Sequence, residues 1–251
     1  MRALRYRTIP KLGSRLLRVG VLLWAPLKSR LALMSTWTPL KADVLAAIAQ
    51  QAMQHQQAGR VIVAIDGVDG AGKTHFADEL ADVLRASGHT VVRASVDGFH
   101  NPRDKRYARG KLSPQGFYLD SYNYEAFTTA LLDPFRAGES TVMTAVFDHT
   151  SDAEAIVTVN NIPATAVLVL DGIFLHRPQL RGTWNFSIWL DVPQEISEHR
   201  LRARDGESGV SDRYSEGQKL YIAEASPRTS ATVIVDNSNF ESPRQVFADS
   251  C

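Results

Sequence analysis

VIVAIDGVDGAGKT, residues 61–74, is the stretch that decides the fold. Its first five residues are apolar and mostly β-branched, which is typical of a strand that is buried on both faces. Residues 67–74 then fit the pattern G-x-x-x-x-G-K-[ST]. An amphipathic segment with helical spacing follows, and its apolar positions are Phe76, Leu80, Val83 and Leu84. Strand, glycine loop and helix come in the order that a phosphate-binding P-loop needs, so this interpretation is favoured over a chance glycine turn.

The residue types of the loop fit the binding of a polyphosphate. Glycines allow the backbone to curl so that its N–H groups face an anion at a helix N-terminus. Lys73 is placed to reach the outer phosphates, and the Thr74 hydroxyl is placed to ligate Mg²⁺. The sequence therefore predicts a nucleoside triphosphate site made of Gly67, Val68, Asp69, Gly70, Ala71, Gly72, Lys73 and Thr74.

Composition and charge limit the function classes. With 251 residues, 44% hydrophobic and 22% charged, the chain is typical of a soluble globular protein. Residues 1–33 carry eight basic and no acidic residues, whereas residues 34–251 carry 20 basic and 27 acidic ones. An acidic body argues against nucleic acid as the main partner. The single cysteine, Cys251, suits a reducing compartment, so we expect a cytoplasmic protein.

Residues 1–33 differ in composition from the rest of the chain. Their longest uncharged apolar run, residues 19–27, is too short to span a bilayer and contains Pro26. A signal peptide, an amphipathic membrane-surface segment and an upstream start codon before Met34 are the open alternatives. Under each of them we expect a peripheral, poorly ordered segment, followed by a single domain over residues 34–251 with no membrane partner.

Strand and helix patterns alternate along residues 34–251. Strands are predicted at 61–65, 90–96, 141–147, 166–170, 186–192 and 232–235, with a weaker strand or hairpin arm at 155–159. Helices are predicted from Thr38-Pro39 to about residue 57, after the P-loop, at 124–136, up to Arg204 and at 215–225, with a mobile flap at 205–215. This alternation predicts an α/β fold with a doubly wound, mostly parallel sheet and helices on both faces.

Three predicted strands end at an aspartate, namely Asp97, Asp148 and Asp171. Ligands of such sheets bind at the carboxyl ends of the strands, where the P-loop also lies. Phosphoryl transfer needs a metal holder, a group that orients or deprotonates the attacking hydroxyl, and cations for the transferring charge. Any one aspartate could instead be a turn or capping residue. Three of them at one edge beside a P-loop favour a phosphoryl-transfer site.

Five segments together resemble a known family: DGVDGAGKT at 66–74, DGFH at 97–100, FDH at 147–149, VLDGIF at 169–174 and HRLRARD at 199–205. The chain resembles the uridine kinase branch of P-loop kinases, whose relatives include pantothenate kinase and phosphoribulokinase. The likeness runs from about residue 60 to 243. It implies a five-stranded parallel core sheet, an Arg-bearing lid, ATP or GTP as donor with Mg²⁺, and a small-molecule hydroxyl as acceptor. The 5′-hydroxyl of uridine or cytidine is the leading expectation.

The resemblance also implies roles for charged residues. Asp97 matches the catalytic acid that accepts the proton of the attacking hydroxyl. Asp171 stands where the family usually has glutamate, and would hold Mg²⁺ through water. Arg200 and Arg204 match the lid arginines, and Arg213 is a weaker candidate for the same task. The alternative for the arginine pair is a solvated basic face with ion pairs to Glu195, Glu198 or Asp205.

Acceptor contacts are expected from three short segments. Phe147-Asp148-His149 is the turn that would grip a base, with Phe147 stacking and His149 either bonding the base edge or serving as a plain loop residue. Phe99 and His100 of the DGFH segment are further expected contacts. Asn123 takes the place of the ribose-gripping aspartate, with Asp120 as its alternative, and Asn237 is expected near the adenine.

Other functions stay open at this point. A kinase of another small alcohol, such as pantothenate or a sugar, is one alternative, and a nucleotide-dependent regulatory module is another. The sequence has no N-K-x-D motif of GTPase switches and no Ser-Gly-Gly-Gln signature of transport ATPases. The basic run 103–111, with Tyr107 inside it, is interpreted as a mobile arm or a solvated loop rather than a nucleic-acid site. A homo-oligomer is an open alternative to a monomer.

Overall fold

The computed structural model describes residues 40–54 and 59–247. These residues belong to one compact unit, Thr38–Cys251. The basic segment 1–33, Met34 and the Thr38-Pro39 helix start lie outside the described residues, so the predictions made for them stay predictions. Among the described residues, no helix has both the length and the apolar character required to cross a bilayer.

A six-stranded sheet forms the centre of this unit, in the order β2-β5-β1-β6-β7-β8. Its five parallel strands are β1 (Val61–Gly67), β2 (Val91–Ser95), β5 (Val167–Asp171), β6 (Phe186–Asp191) and β7 (Val233–Asp236). Every residue of β1 and β5 is buried, because helices cover both faces of the sheet. β8 (Arg244–Val246), which the sequence pattern did not predict, pairs antiparallel with β7 at one edge.

Two apolar layers enclose the sheet. On one face, α1 (Lys41–Gln54) and α2 (Lys73–Ala86) pack on side chains such as Val63 and Ile65 of β1. On the other face, aromatic side chains of later helices pack on Ile62 and Ala64. The helices after α2 are α3 (Arg103–Arg106), α4 (Pro114–Asp120), α5 (Tyr124–Phe127), α6 (Asp133–Ala137), α7 (Gln194–Asp205), α8 (Asp212–Ala225) and α9 (Pro227–Ser230).

The segments predicted as strands at 141–147 and 155–159 form β3 (Val142–Asp148) and β4 (Ala153–Val159). They pair with each other in a separate antiparallel hairpin and do not join the central sheet. The prediction that Asp148 ends a strand of the core sheet is therefore wrong. Alternation along β3 is equally typical of an exposed hairpin, so the pattern alone did not distinguish the two.

The remaining predicted segments keep their type with shifted ends. The helix expected at 124–136 consists of α5, a π-helical stretch Thr128–Leu132 and α6, which follow one another without a break. The flap expected at 205–215 contains a short 3₁₀ helix, Gly206–Gly209, between α7 and α8. The fold is the doubly wound, mostly parallel α/β sheet that the alternating pattern predicts.

Candidate active site

The loop after β1 has the backbone of an anion-binding P-loop. Gly70 and Gly72 have φ angles of +75° and +87°, a region that favours glycine. A Cβ atom on Gly72 would lie 2.4 Å from Phe240 Cε1, and one on Gly70 would lie 2.5 Å from the Ser197 carbonyl oxygen. No side chain caps the N-terminus of α2, where Gly72 is the capping residue. The first N–H groups of α2 are therefore available to an anion.

The two residues predicted to ligate Mg²⁺ meet at this point. Thr74 Oγ1 donates a hydrogen bond of 2.7 Å to Asp171 Oδ2. They meet because β1 and β5 are neighbours in the sheet, so their carboxyl ends lie side by side. Lys73, which directly precedes Thr74, donates from Nζ to the Val68 carbonyl at 2.9 Å. The Lys73 ammonium group is thus bonded to its own loop in this structure.

Asp171 has chemistry that suits a metal ion. It is 2% exposed, and its buried Oδ1 accepts no hydrogen bond from the described residues, although Arg93 Nη2 forms an ion pair with it at 2.9 Å. Mg²⁺ prefers oxygen ligands, keeps several waters and is usually held by one or two carboxylates together with phosphates. Among the described residues, no three His, Cys, Asp or Glu side chains form a metal cage. The Thr74 and Asp171 oxygens thus fit a metal that is shared with a polyphosphate.

Asp97 lies where two cavities meet. The P-loop cavity, of about 570 Å³, is lined by Lys73, Thr74, Asp171 and their neighbours. The His100 cavity, of about 390 Å³, adjoins it and is lined by residues of α3, α4 and α8. Asp97 lines both, just after β2, and its Oδ1 accepts a hydrogen bond of 3.0 Å from the Tyr122 hydroxyl. A carboxylate is therefore fixed between the P-loop cavity and the His100 cavity.

The His100 cavity has an aromatic wall. The His100 ring lies 4.4 Å from the Tyr122 ring and is stacked 4.6 Å from the His149 ring. His100 Nδ1 donates to the Asp97 carbonyl at 2.9 Å, since a carbonyl can only accept. Burial lowers the pKa of His100, which keeps the ring neutral near pH 7. Tyr107 and Tyr214 also line this cavity, so it can accommodate a flat ring.

The two predicted lid arginines differ in their contacts. Arg200 donates to the carbonyls of Gly70, Asn237 and Ser238 at 3.2, 2.9 and 2.9 Å. Its guanidinium carbon lies 3.7 Å from the centre of the Phe240 ring, and burial lowers its pKa. Arg204 lines both cavities and forms an ion pair with Asp205 at 2.7 Å, one of the partners that the basic-face interpretation predicts.

Residues 62–214 match the Phosphoribulokinase / Uridine kinase family. The chain belongs to this family. A uridine kinase from Lactobacillus johnsonii is 24% identical over 148 residues, which cover 58% of this chain and 67% of that protein. A thymidylate kinase from Bordetella petrii is 30% identical over 196 residues, which cover 72% and 88%.

A solved structure shares the fold of this kinase. The structure of a possible uridine kinase from Bacillus stearothermophilus superposes with a TM-score of 0.63 at 24% identity, covering 76% of this chain and 97% of that one. The kinase is thus a P-loop phosphotransferase of the uridine kinase type that acts on an alcohol group of a small molecule. ATP is the donor that family membership implies.

Several predicted acceptor contacts of the kinase lie elsewhere. Phe99 is fully buried against Phe127, with ring centres 5.2 Å apart, so the prediction that it contacts a substrate is wrong. Asn123 caps α5 by accepting a hydrogen bond from the Ala126 amide at 3.1 Å, and it lines neither cavity. A helix start favours a cap at this position, so the Asn123 oxygen bonds the backbone, and the residue lies outside the cavities where the ribose contact was predicted.

The Phe147-Asp148-His149 turn contributes one residue to the cavities. His149 lines the His100 cavity, whereas Phe147 and Asp148 line neither. The Asp148 carboxylate accepts hydrogen bonds from the Thr150 amide and the Ser151 hydroxyl at 2.9 and 2.7 Å. These bonds lower the pKa of Asp148 to about 2. Asp148 is therefore a turn residue, which is the alternative that the sequence leaves open for each of the three aspartates.

Two other predicted site residues hold backbone in place. Asn237 is buried and donates to the Ala71 carbonyl at 2.8 Å, so it clamps the P-loop from the end of β7. Arg213 is 6% exposed and donates to the carbonyls of Arg106, Gly110, Lys111 and Ser113. It anchors the basic run 103–111, which the structure shows as α3 and an anchored loop.

Sequence reasoning missed a buried network beneath the P-loop. Asp66, which is completely buried, accepts hydrogen bonds from the Gly67 amide, the Tyr221 hydroxyl and both the amide and Nδ1 of His176. His176 Nε2 continues the network to Ser187 Oγ at 3.0 Å. The partners come from four separate segments, so no local motif could have revealed them. The polar Asp66 inside an apolar strand was the available signal.

Proposed function

We propose that this kinase transfers the γ-phosphoryl group of ATP to the 5′-hydroxyl of a pyrimidine nucleoside, uridine or cytidine, in the cytoplasm. The observation that carries the proposal is the position of Asp97 at the junction of the P-loop cavity and the His100 cavity. The names of two relatives support the acceptor class, since both are uridine kinases.

Asp97 acts as the general base for the attacking hydroxyl. The Tyr122 hydroxyl is bonded to Oδ1 at 3.0 Å and orients the carboxylate, which leaves Oδ2 to accept the proton. The carboxylate is solvent-exposed in this structure, so an acceptor in the His100 cavity can reach it. As the hydroxyl oxygen bonds to phosphorus, the bond from phosphorus to the bridging oxygen breaks and ADP leaves.

The P-loop side binds and stabilises the transferring charge. The N-terminal amides of α2 face the phosphates, and Lys73 exchanges its contact with the Val68 carbonyl for the outer phosphates. Arg204 lines both cavities and stabilises the charge on the transferring group. When bound, Mg²⁺ would be held by Thr74 and Asp171 and would neutralise phosphate charge.

The His100 cavity is proposed to hold the nucleoside. Its volume of about 390 Å³ lies within the range of small-ligand pockets, and its aromatic wall offers stacking surfaces for a base. His149 lies at this wall and can bond a base edge. Nucleic acid is not proposed as a partner, because residues 34–251 carry 20 basic and 27 acidic residues.

A different small alcohol, such as pantothenate or a sugar, is the second candidate. Two residues expected to grip a nucleoside do not line the cavities: Asn123 is a helix cap and Phe147 lies in the hairpin. A module that only binds nucleotide is disfavoured, because such a module has no need of a general base, here Asp97, at the junction of two cavities.

The test is release of ADP from ATP, or of GDP from GTP, by the purified protein with a panel of nucleosides, pantothenate and sugars. We expect the highest kcat/KM with ATP and uridine or cytidine. Asp97→Asn should lower kcat by about 10²–10⁴-fold and leave the affinity for ATP unchanged. If the kinase phosphorylates another alcohol efficiently and no nucleoside at all, the proposal that the acceptor is a nucleoside is refuted. An unchanged kcat in Asp97→Asn would refute the proposed base.

A further inference from the structure

The P-loop contains a carboxylate that nucleotide binding does not explain. Asp69 lies between the first and last glycines of the motif, in a loop that has to surround a polyanion. A carboxylate at this place repels phosphates, and no backbone requirement calls for an acid there. The P-loop motif places Asp69 among the residues predicted to bind nucleotide, but its position in the structure indicates a different role.

Asp69 faces the junction of the two cavities. Of the described residues, four line both the P-loop cavity and the His100 cavity: Asp69, Asp97, Leu201 and Arg204. Two of these four, Asp69 and Asp97, are acids. The Asp69 side chain is 29% exposed, and its Oδ1 lies 3.9 Å from Lys73 Nζ, beyond hydrogen-bond distance. A group in the His100 cavity can therefore contact both Asp69 and Asp97.

Helix α8 fixes the backbone of Asp69. Gln218 Oε1 accepts a hydrogen bond of 2.8 Å from the Asp69 amide, and Gln218 Nε2 donates to the Tyr214 carbonyl at 3.1 Å. The Asp69 amide is thus directed at α8, and the same helix provides Tyr214 and Arg213 to the wall of the His100 cavity. Helix α8 therefore fixes the position of Asp69 relative to the His100 cavity.

None of the described residues donates a hydrogen bond to the Asp69 carboxylate, although its side chain is only 29% exposed. Burial raises its pKa, the nearby Asp97 raises it further, and Lys73 and Arg204 oppose these effects. A partly desolvated carboxylate is stabilised when it accepts a hydrogen bond from a neutral donor such as an alcohol. An acceptor with a second hydroxyl would supply that donor while its reacting hydroxyl faces Asp97.

We propose that Asp69 is a specificity-determining residue of the acceptor site, which accepts a hydrogen bond from a second hydroxyl of the acceptor. The kinase thereby selects polyols over mono-alcohols. The identity of that hydroxyl rests on the proposed function: for a nucleoside it is the ribose 2′- or 3′-hydroxyl.

Kinetic discrimination between an acceptor and its deoxy analogues tests this role. For the wild-type kinase we expect kcat/KM to fall by about 10–100-fold when the contacted ribose hydroxyl is removed, because Asp69 loses its partner. In Asp69→Ala the ribonucleoside and the deoxynucleoside should be turned over within about threefold of each other. Asp69→Asn, which keeps the shape, should give an intermediate ratio. Wild-type discrimination in both variants would overturn the proposal.

A binding measurement separates this proposal from the identity of the acceptor. Titration of a non-hydrolysable ATP analogue should give equal or tighter binding to Asp69→Ala, since a repelling charge is removed. Tenfold weaker binding would make Asp69 a nucleotide residue and overturn the proposal. If the wild type turns over no nucleoside, the proposed acceptor fails, and the deoxy comparison is made with the polyol that it does phosphorylate.

Two control variants complete the experiment. Asp82→Ala removes a carboxylate on the exposed side of α2, where it pairs with Arg85 at 2.9 Å, and should change neither ratio nor affinity. Gln218→Ala should lower the discrimination ratio, because the Asp69 backbone loses its anchor, whereas Lys219→Ala on the same helix should not. An unchanged ratio in Gln218→Ala would show that α8 does not position Asp69.

Discussion

Arg213 provides a sharp test, because the sequence suggested a catalytic lid role and the structure suggests an anchor. Its Nη1 donates to the carbonyls of Gly110, Lys111 and Ser113 at 3.3, 3.2 and 3.0 Å, and Nη2 donates to Arg106 at 3.3 Å. The perturbation is Arg213→Met, which keeps an unbranched apolar stem and removes every donor.

The loss of unfolding free energy in Arg213→Met depends on how many of these hydrogen bonds are independent. Nη1 has two hydrogens for three carbonyls, so the four contacts amount to about three bonds. Hydrogen bonds to a charged group contribute roughly 1.5–3 kcal/mol each, but water can replace part of them at the loop, so we expect a loss of about 2–4 kcal/mol. For a domain of this size that lowers Tm by roughly 5–15 °C.

The assay combines thermal unfolding with steady-state kinetics. Arg213→Met should show the lower Tm and a raised KM for the acceptor, because the loop it anchors forms part of the His100 cavity. The kcat at saturating acceptor should stay within a few-fold of wild type. Arg202→Met, an exposed arginine paired with Glu198, is the control and should leave both unchanged. A loss of kcat at an unchanged Tm would refute the claim that Arg213 anchors the loop and would support its predicted role in the lid.

Three further substitutions have distinct expected outcomes. Lys73→Ala should reduce kcat by about 10²–10³-fold, measured by ADP release, with Tm within two degrees or so of wild type, as its bond to Val68 is replaceable by water. Thr74→Val should raise the Mg²⁺ concentration needed for half-maximal rate by about tenfold, because the metal loses a ligand; an unchanged requirement would contradict the site. Tyr221→Phe removes a donor from buried Asp66 and should lower the unfolding free energy by about 1–3 kcal/mol in urea titration.

The parts of the fold that the sequence predicts well are those whose signal is local. The P-loop is one example, because strand, glycines and Lys73 are contiguous, and each has its own stereochemical reason. Fully buried runs such as residues 61–65 and 166–170 likewise predict parallel strands without further information. The prediction that Asp97 and Asp171 lie at one edge followed from strand ends in a parallel sheet, and the structure brings both to the P-loop cavity.

The missed and misplaced residues depend on partners that are distant in sequence. Tyr122 orients Asp97, and Arg93 pairs with Asp171, but neither residue stands in a motif. Polar residues at turns are ambiguous by nature, since the side chain that could bind a ligand is equally suited to cap a helix or close a turn. Asn123 and Asp148 are both of this kind, and the backbone around each uses its oxygen atoms.

The contacts of the two predicted lid arginines indicate which of them is free to take the role in the proposed mechanism. Arg200 gives its donors to three carbonyls and stacks on Phe240, so moving it would leave partly buried groups unsatisfied. Arg204 is 68% exposed on its side chain, and its ion pair with Asp205 raises its pKa and keeps it charged. An exposed ion pair contributes only about 0–1 kcal/mol, so a polyphosphate in the P-loop cavity can compete for this guanidinium. Arg204 can therefore leave Asp205 for the transferring group, whereas Arg200 holds the loop on which that group is bound.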